Sequence, residues 1–182
     1  MSTDQKQIDD YFSGAWNGGK DKWTITNTAN IASKIGPDET VLDIGCGYNP
    51  FFEHVKYLYA FDPAIDAGNE MCTLEEFDSQ GNTYDVVLCM GSINFGTVEH
   101  ITSQVEKVVS LVKKGGRIYW RMNPGMADHD NEECKSVPFF KWDMRTNYNF
   151  AHDNNCDVLD FQIDKHKDDD NKVRLYAEWL KR

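Results

Sequence analysis

The residues with the clearest capacity for chemistry lie in one stretch, Val41-Leu42-Asp43-Ile44-Gly45-Cys46-Gly47-Tyr48-Asn49-Pro50. An apolar run with the character of a buried strand enters a turn where Gly45 and Gly47 let backbone approach a ligand closely. Asn49 as N-cap and Pro50 as first helical residue predict a helix whose amino end favours negative charge. The result is a nucleotide-type cradle. A dinucleotide fingerprint would carry a third glycine at position 50, so Pro50 argues against a pyrophosphate ligand and a nicotinamide-dependent oxidoreductase. Asp62 follows a second apolar run, Tyr57–Phe61, at about the ~20-residue spacing from which a carboxylate accepts from ribose hydroxyls. Its alternative role is that of a turn residue before Pro63.

Other candidates carry less information. His100 stands near the start of a predicted helix and has the chemistry of a general base; histidines there also serve purely structural roles. His152, beside an aromatic segment at 139–150, is comparable. The run Asp128-His129-Asp130-Asn131-Glu132-Glu133-Cys134 has oxygen donors, yet such runs are ordinarily solvated loops, and no metal centre is expected. Five cysteines (46, 72, 89, 134 and 156) form an odd set without C-x-x-C spacing and read as reduced thiols.

Short apolar runs at 41–44, Tyr57–Phe61, 85–90 and 117–122 are strand candidates, separated by helical patterns. This alternation predicts an α/β fold with a mostly parallel sheet. The clearest helix spans about 98–112, with Ile101, Val105, Val108, Val109 and Val112 on its sheet-facing side and Gly115-Gly116 after it. Runs at 158–163 and 173–180 flank the polar Asp168-Asp169-Asp170-Asn171 turn and predict a terminal antiparallel hairpin. Ahead of the first strand, two helices are expected. One begins at a Ser2/Gln5 capping box and carries Ile8, Tyr11, Phe12, Ala15 and Trp16; the other carries Ile25, Ala29, Ala32 and Ile35 and stops at Gly36-Pro37. Gly18-Gly19 separates them. Residues 1–37 form the helical cap segment of this division and 38–182 the binding domain, with the cap either closing over a ligand or packed permanently on the sheet.

The 182 residues, 40% of them hydrophobic, suffice for one packed domain. Nineteen Lys and Arg against thirty Asp and Glu give a net charge of −11, which repels phosphate backbones and anionic membranes. Nucleic acid is therefore a disfavoured partner. No apolar run approaches the ~20 residues of a bilayer span, and the polar opening residues are unlike a secretory signal, so a cytoplasmic location is expected.

The motif Leu42-Asp43-Ile44-Gly45-Cys46-Gly47 with Asp62 resembles the class I S-adenosylmethionine-dependent methyltransferases. Tyr84-Asp85-Val86-Val87-Leu88-Cys89 looks like the family's fourth strand, Val98-Glu99-His100-Ile101 like its next helix, and Val112-Lys113-Lys114-Gly115-Gly116-Arg117-Ile118 like its helix-to-fifth-strand junction. The resemblance covers about 38–182 and implies a Rossmann-like sheet with helices on both faces, S-adenosyl-L-methionine as cofactor, and methyl transfer to O or N of a small molecule or protein side chain. It places Asp43, Gly45, Cys46 and Gly47 at the methionine end, Asp62 on the ribose, and Gly91 and Ser92 beside the sulfonium. The family's third-strand acid, which accepts from the adenine amino group, is replaced by Cys72 and Thr73; either the Thr73 hydroxyl takes that role, with Met71 or Leu74 packing on the ring, or the strand is shortened and only packs. No Asp/Asn-Pro-Pro-aromatic follows the fourth strand, which removes support for base methylation. The aromatic segment after the fifth strand falls where the family places acceptor-binding elements, although such aromatics also build cores.

Overall fold

Six strands hydrogen-bond into one sheet: β1 (Thr40–Ile44), β2 (Tyr57–Phe61), β3 (Tyr84–Met90), β4 (Val112–Met122), β5 (Cys156–Lys165) and β6 (Val173–Lys181). Their order in this computed structural model is β2-β1-β3-β4-β6-β5. The first four are parallel, and β6 runs antiparallel to both β4 and β5. The expected parallel sheet with a terminal hairpin is present. The structure describes residues 6, 8, 10–15, 22–125 and 139–182.

β1, β2 and β3 are mostly apolar because layers cover both faces of this part of the sheet. On one face Leu42, Ile44, Val87, Cys89, Ile118, Trp120, Ala177 and Trp179 pack with Ile101, Val105, Val108 and Val109 of α2 (Val98–Ser110) and Ala151 of α3 (Met144–Asp153). The alternate residues Val41, Val86, Leu88, Tyr119 and Tyr176 pack on the other face with Phe51, Val55 and Ile31 of α1 (Thr28–Ala32). This second layer is thin, being one five-residue helix and a series of turns.

Several elements differ from the sequence expectation. The predicted helix after Asn49 is absent: Asn49 has φ +53°, outside the extended range of an N-cap, and residues 50–54 form turns. The third strand of the resemblance is reduced to a single parallel bridge between Phe61 and Glu70, so the sheet has six strands. The second leading helix shortens to Thr28–Ala32, and its buried residues are Thr28 and Ile31 while Ala29 is exposed. α2 ends at Ser110, ahead of the expected 112, because Leu111 O already accepts from Tyr84 N and β4 starts at Val112. α3 was not foreseen; Asp143 caps it by accepting from Thr146 N. Of the first leading helix, Tyr11–Ala15 form a π-helical turn, and Ile8, Tyr11 and Phe12 pack with Phe95 and Phe139, away from the sheet. The Ser2/Gln5 box, Trp16, Gly18-Gly19, the polar run at 128–134 and Cys134 lie outside the described residues.

Candidate functional site

Parallel register brings the carboxyl ends of β1, β2, β3 and β4 to one edge, and the residues that follow them, Gly45, Asp62, Gly91 and Asn123, all line one cleft of about 880 Å³. Strand order reverses between β1 and β3, the usual ligand position on an open α/β sheet. All nine site residues expected from the sequence, Asp43, Gly45, Cys46, Gly47, Asp62, Thr73, Gly91, Ser92 and His100, line this cleft. His152 does not; it lies exposed on α3 with Nδ1 3.2 Å from Asp153.

Gly45 and Ser92 meet across the switch point. A Cβ on Gly45 would lie 2.5 Å from that of Ser92, and Gly45 has φ +67°, so no other residue fits there. Ser92 Oγ is buried and has no hydrogen-bond partner among the described residues. Buried hydroxyls are normally paired, so this one marks a place where a ligand belongs.

Asp43, 1% exposed at the end of β1, has its carboxyl pushed up to about 7 by burial, against the pull of Arg121 and with a further push from Asp62. Arg121, from β4, donates Nη2 to Met90 O. Asp62 is equally committed: Oδ2 accepts from Gly47 N at 2.9 Å and Oδ1 from Ala64 N and Ile65 N, each at 2.9 Å. It clamps the glycine turn to the end of β2 and begins its own turn. A carboxylate has about four acceptor positions, leaving one for a ligand. Burial, with Asp43 and Asp62, pushes the Cys46 thiol up to about 12, so it is no nucleophile at neutral pH.

At the other side Thr73 closes a reciprocal turn, its Oγ1 donating to Glu76 Oε2 at 3.2 Å and accepting from Glu76 N at 3.2 Å. Cys72 and Met71 are absent from the cleft wall; Thr73, Leu74 and Glu75 form it. His100 Nε2 stands 3.7 Å from Glu75 Oε1, which also accepts from Gln104 Nε2 at 2.8 Å. Since a carboxylate only accepts, that bond fixes the Gln104 amide with Oε1 turned the other way, buried and without a hydrogen-bond partner among the described residues. Gln104 was not foreseen, although its position one helical turn after His100 was a signal for the same cluster.

Ile8, Tyr11, Phe12 and Phe139 roof part of the cleft, with Phe12 edge-on to Phe95 at 5.4 Å. The aromatic segment at 139–150 therefore divides. Phe139 reaches the cleft, whereas Trp142 is 1% exposed, donates to Ile93 O and packs with Phe140 and Phe150 in the core. The remaining wall, unforeseen, carries Lys22, Trp23, His166, Lys172 and Arg174. Among the described residues no group of three or more His, Cys, Asp or Glu could hold a metal, and no helix is long and apolar enough to cross a membrane.

No protein-family model matches the chain, and no curated protein matches it. Solved structures do. One is the 1,6-didemethyltoxoflavin-N1-methyltransferase of Burkholderia thailandensis, bound to 1,6-didemethyltoxoflavin and S-adenosylhomocysteine: TM-score 0.73, 16% identity, covering 100% of this chain and 91% of that one. The magnesium protoporphyrin IX methyltransferase of Synechocystis, with S-adenosylhomocysteine, superposes with TM-score 0.70 and 14% identity over 98% of this chain and 100% of that one. The N-methyltransferase NodS of Bradyrhizobium japonicum, also with S-adenosylhomocysteine, gives TM-score 0.65 and 11% identity over 100% and 99%.

Proposed function

We propose that this chain, whose fold is that of the class I S-adenosylmethionine-dependent methyltransferases, binds S-adenosyl-L-methionine in the cleft and transfers its methyl group to O or N of a small molecule or protein side chain. The observation that carries this reading is the convergence of Asp43, Gly45, Gly47, Asp62, Gly91 and Ser92 on one wall at the strand-order reversal. The structurally similar enzymes that hold S-adenosylhomocysteine support it.

The wall fits the cofactor on its own terms. The unpaired Ser92 hydroxyl offers a polar partner, Gly45 keeps side-chain bulk out, and the buried Asp43 carboxyl gains a reason to ionise when a cation enters. When bound, the cofactor supplies a methyl group already activated on a positively charged sulfur, so alignment is the protein's main task, an effect of up to ~7–11 kcal/mol. In this reading the Gly45, Cys46 and Gly47 backbone and Asp43 receive the methionine end. Asp62 offers its remaining acceptor position to the ribose, and Gly91 and Ser92 border the reacting sulfur. Thr73 and Leu74 flank the base, and Gln104 Oε1 supplies the acceptor that the missing third-strand acid would have provided. His100 is the candidate general base, oriented by Glu75. Tyr11 and Phe12, from the 1–37 cap segment, roof the cleft of the 38–182 binding domain and exclude water. Four buried free thiols suit a reducing, cytoplasmic setting.

Methyl-labelled S-adenosylmethionine incubated with the protein and a fractionated small-molecule and protein extract tests the reading. Transfer to one fraction, lost in a Ser92→Val or Gly45→Ala variant, is expected. Cofactor binding without label transfer to any fraction would favour a methyltransferase-like binding domain without turnover.

A further inference from the structure

Beyond the cofactor wall, the chain that leaves β3 and β4 carries two buried asparagines that line the cleft, Asn94 at 3% and Asn123 at 2% exposure. Asn94 joins the two strand ends: its Nδ2 donates to Gly91 O at 2.8 Å and its Oδ1 accepts from Asn123 N at 2.8 Å. The backbone carbonyls of the same residues accept from the segment before α3, Asn94 O from Phe140 N at 2.7 Å and Asn123 O from Trp142 N at 3.2 Å. Trp142 Nε1 closes the frame by donating to Ile93 O at 2.9 Å. Both asparagines are held from several sides.

The Asn123 amide is nevertheless spent at one end only. Gly125 N donates to its Oδ1 at 3.0 Å, and because an N–H only donates, this bond fixes which amide atom is the oxygen and turns Nδ2 the other way. No group among the described residues accepts from Nδ2, and unlike Ser92 Oγ it is not sealed in but keeps contact with the cleft. Polar groups in such a wall are normally paired, so an accepting ligand atom belongs opposite this donor. β4 lies two strand spacings from β1, about 10 Å, so Asn123 stands apart from the glycine turn. The adjoining wall is apolar, with Ile93 and Phe95, whose ring meets that of Phe139 at 5.1 Å, and aromatic rings there suit a flat apolar body. The cation two residues back on β4, Arg121, donates to Met90 O and acts on Asp43. A charged ligand group would lose hydration against this wall, whereas a neutral accepting atom is matched by the amide.

We propose that this corner of the cleft receives the methyl acceptor, an uncharged small molecule with a flat apolar body, and that Asn123 Nδ2 donates to a carbonyl oxygen or ring nitrogen of it. The inference rests on the methyltransferase reading for the ligand's being the methyl acceptor; the donor stands on the Asn123 bonds. Asn123 is then a specificity-determining residue, because a buried donor left unpaired rejects an analogue without the accepting atom more strongly than an apolar wall rejects a missing methylene.

The test uses the full chain, isotope-labelled in nitrogen, and two probes of one shape, indanone with a carbonyl and indane without. It is read on the Asn123 side-chain amide resonances, which Asn123→Ser identifies by their absence. Indanone should shift that pair and bind about tenfold or more tighter than indane. Asn123→Ser, whose shorter hydroxyl does not reach the ligand, should erase the preference by weakening indanone alone; a purely structural role would weaken both probes alike. Asn123→Asp, an isostere that keeps an acceptor for Gly125 N and loses the amide donors, repeats the comparison if the serine variant fails to fold. Failure of indanone to bind, equal binding of the two probes, or a preference unchanged in a folded variant overturns the inference. S-adenosylhomocysteine is titrated separately: carbonyl preference without its binding supports the site and strikes only the cofactor reading, whereas its binding without carbonyl preference strikes only the site.

Discussion

The Asp62 carboxylate accepts the Gly47 backbone N–H at 2.9 Å, tying the end of β2 to the glycine turn after β1. One side chain thus shapes the cradle and, through its last acceptor position, is proposed to touch the ligand. Asp62→Ala removes three charge-assisted bonds to buried or half-buried N–H groups, and we predict a stability loss on the order of 2–4 kcal/mol. Asp62→Asn, which keeps one carbonyl acceptor, should lose less than half of that while still weakening S-adenosylhomocysteine about tenfold. Urea unfolding alongside calorimetry checks both; an alanine variant as stable as the wild type would remove the clamp from the account.

Asp43 sets a pH dependence. Its carboxyl, raised from 3.8 to about 7 chiefly by burial, binds a proton in the folded state where the unfolded chain has released one. Stability of the ligand-free protein therefore falls as pH rises from about 4 to about 7, by up to about 4 kcal/mol from this group. Binding of a cationic cofactor runs the other way, strengthening as pH rises towards 7 with proton release. Denaturant midpoints across that range should show the fall, and Asp43→Asn should flatten it.

Gly45→Ala places a methyl group against Ser92 at a backbone φ of +67°. Neither the Ser92 Cβ nor the β1 end can withdraw without opening the sheet edge, so the variant should lose cofactor binding at least tenfold and about 1–3 kcal/mol of stability. A variant that binds S-adenosylhomocysteine normally would contradict the assignment of this turn.

Asp164 and the threonines beside it should behave as one unit. Removing the carboxylate in Asp164→Ala leaves two backbone N–H groups and two hydroxyls without their acceptor, at a cost of roughly 2–4 kcal/mol, and frees the segment that carries Lys22 and Trp23. Trp23 fluorescence and unfolding midpoints should shift together.

The cap is tested by removing residues 1–21. Ile8, Tyr11 and Phe12 pack on Phe95 and Phe139 at the cleft. Their loss should weaken ligand retention and turnover more than folding. A truncated chain that no longer folds would assign the segment a structural role.

Much of the sheet was legible because buried parallel strands are nearly continuous apolar runs: Tyr57–Phe61 matches its strand end to end. The motif glycines and Asp62 were legible for the same local reason, since one strand–turn carries them. What escaped depended on distant contacts. α3 begins at the Asp143 cap, but its Asn147 is buried with its amide accepting from Trp179 Nε1 and donating to Met122 Sδ, and an asparagine at a core position hides a helical stripe. The helix expected after Asn49 failed because Asn49 turns left-handed and donates Nδ2 to Ala67 O, holding the chain in turns. The far wall of the cleft joins residues 22 and 23 to 166, 172 and 174, which only the closed hairpin brings together.

Calorimetric titration of the purified chain with S-adenosylhomocysteine at pH 7.5 bears most directly on the central claim. The account predicts a single site of about micromolar Kd, weakened at least tenfold in Gly45→Ala and in Asp62→Asn. A folded wild-type protein that gives no heat at millimolar ligand would contradict it.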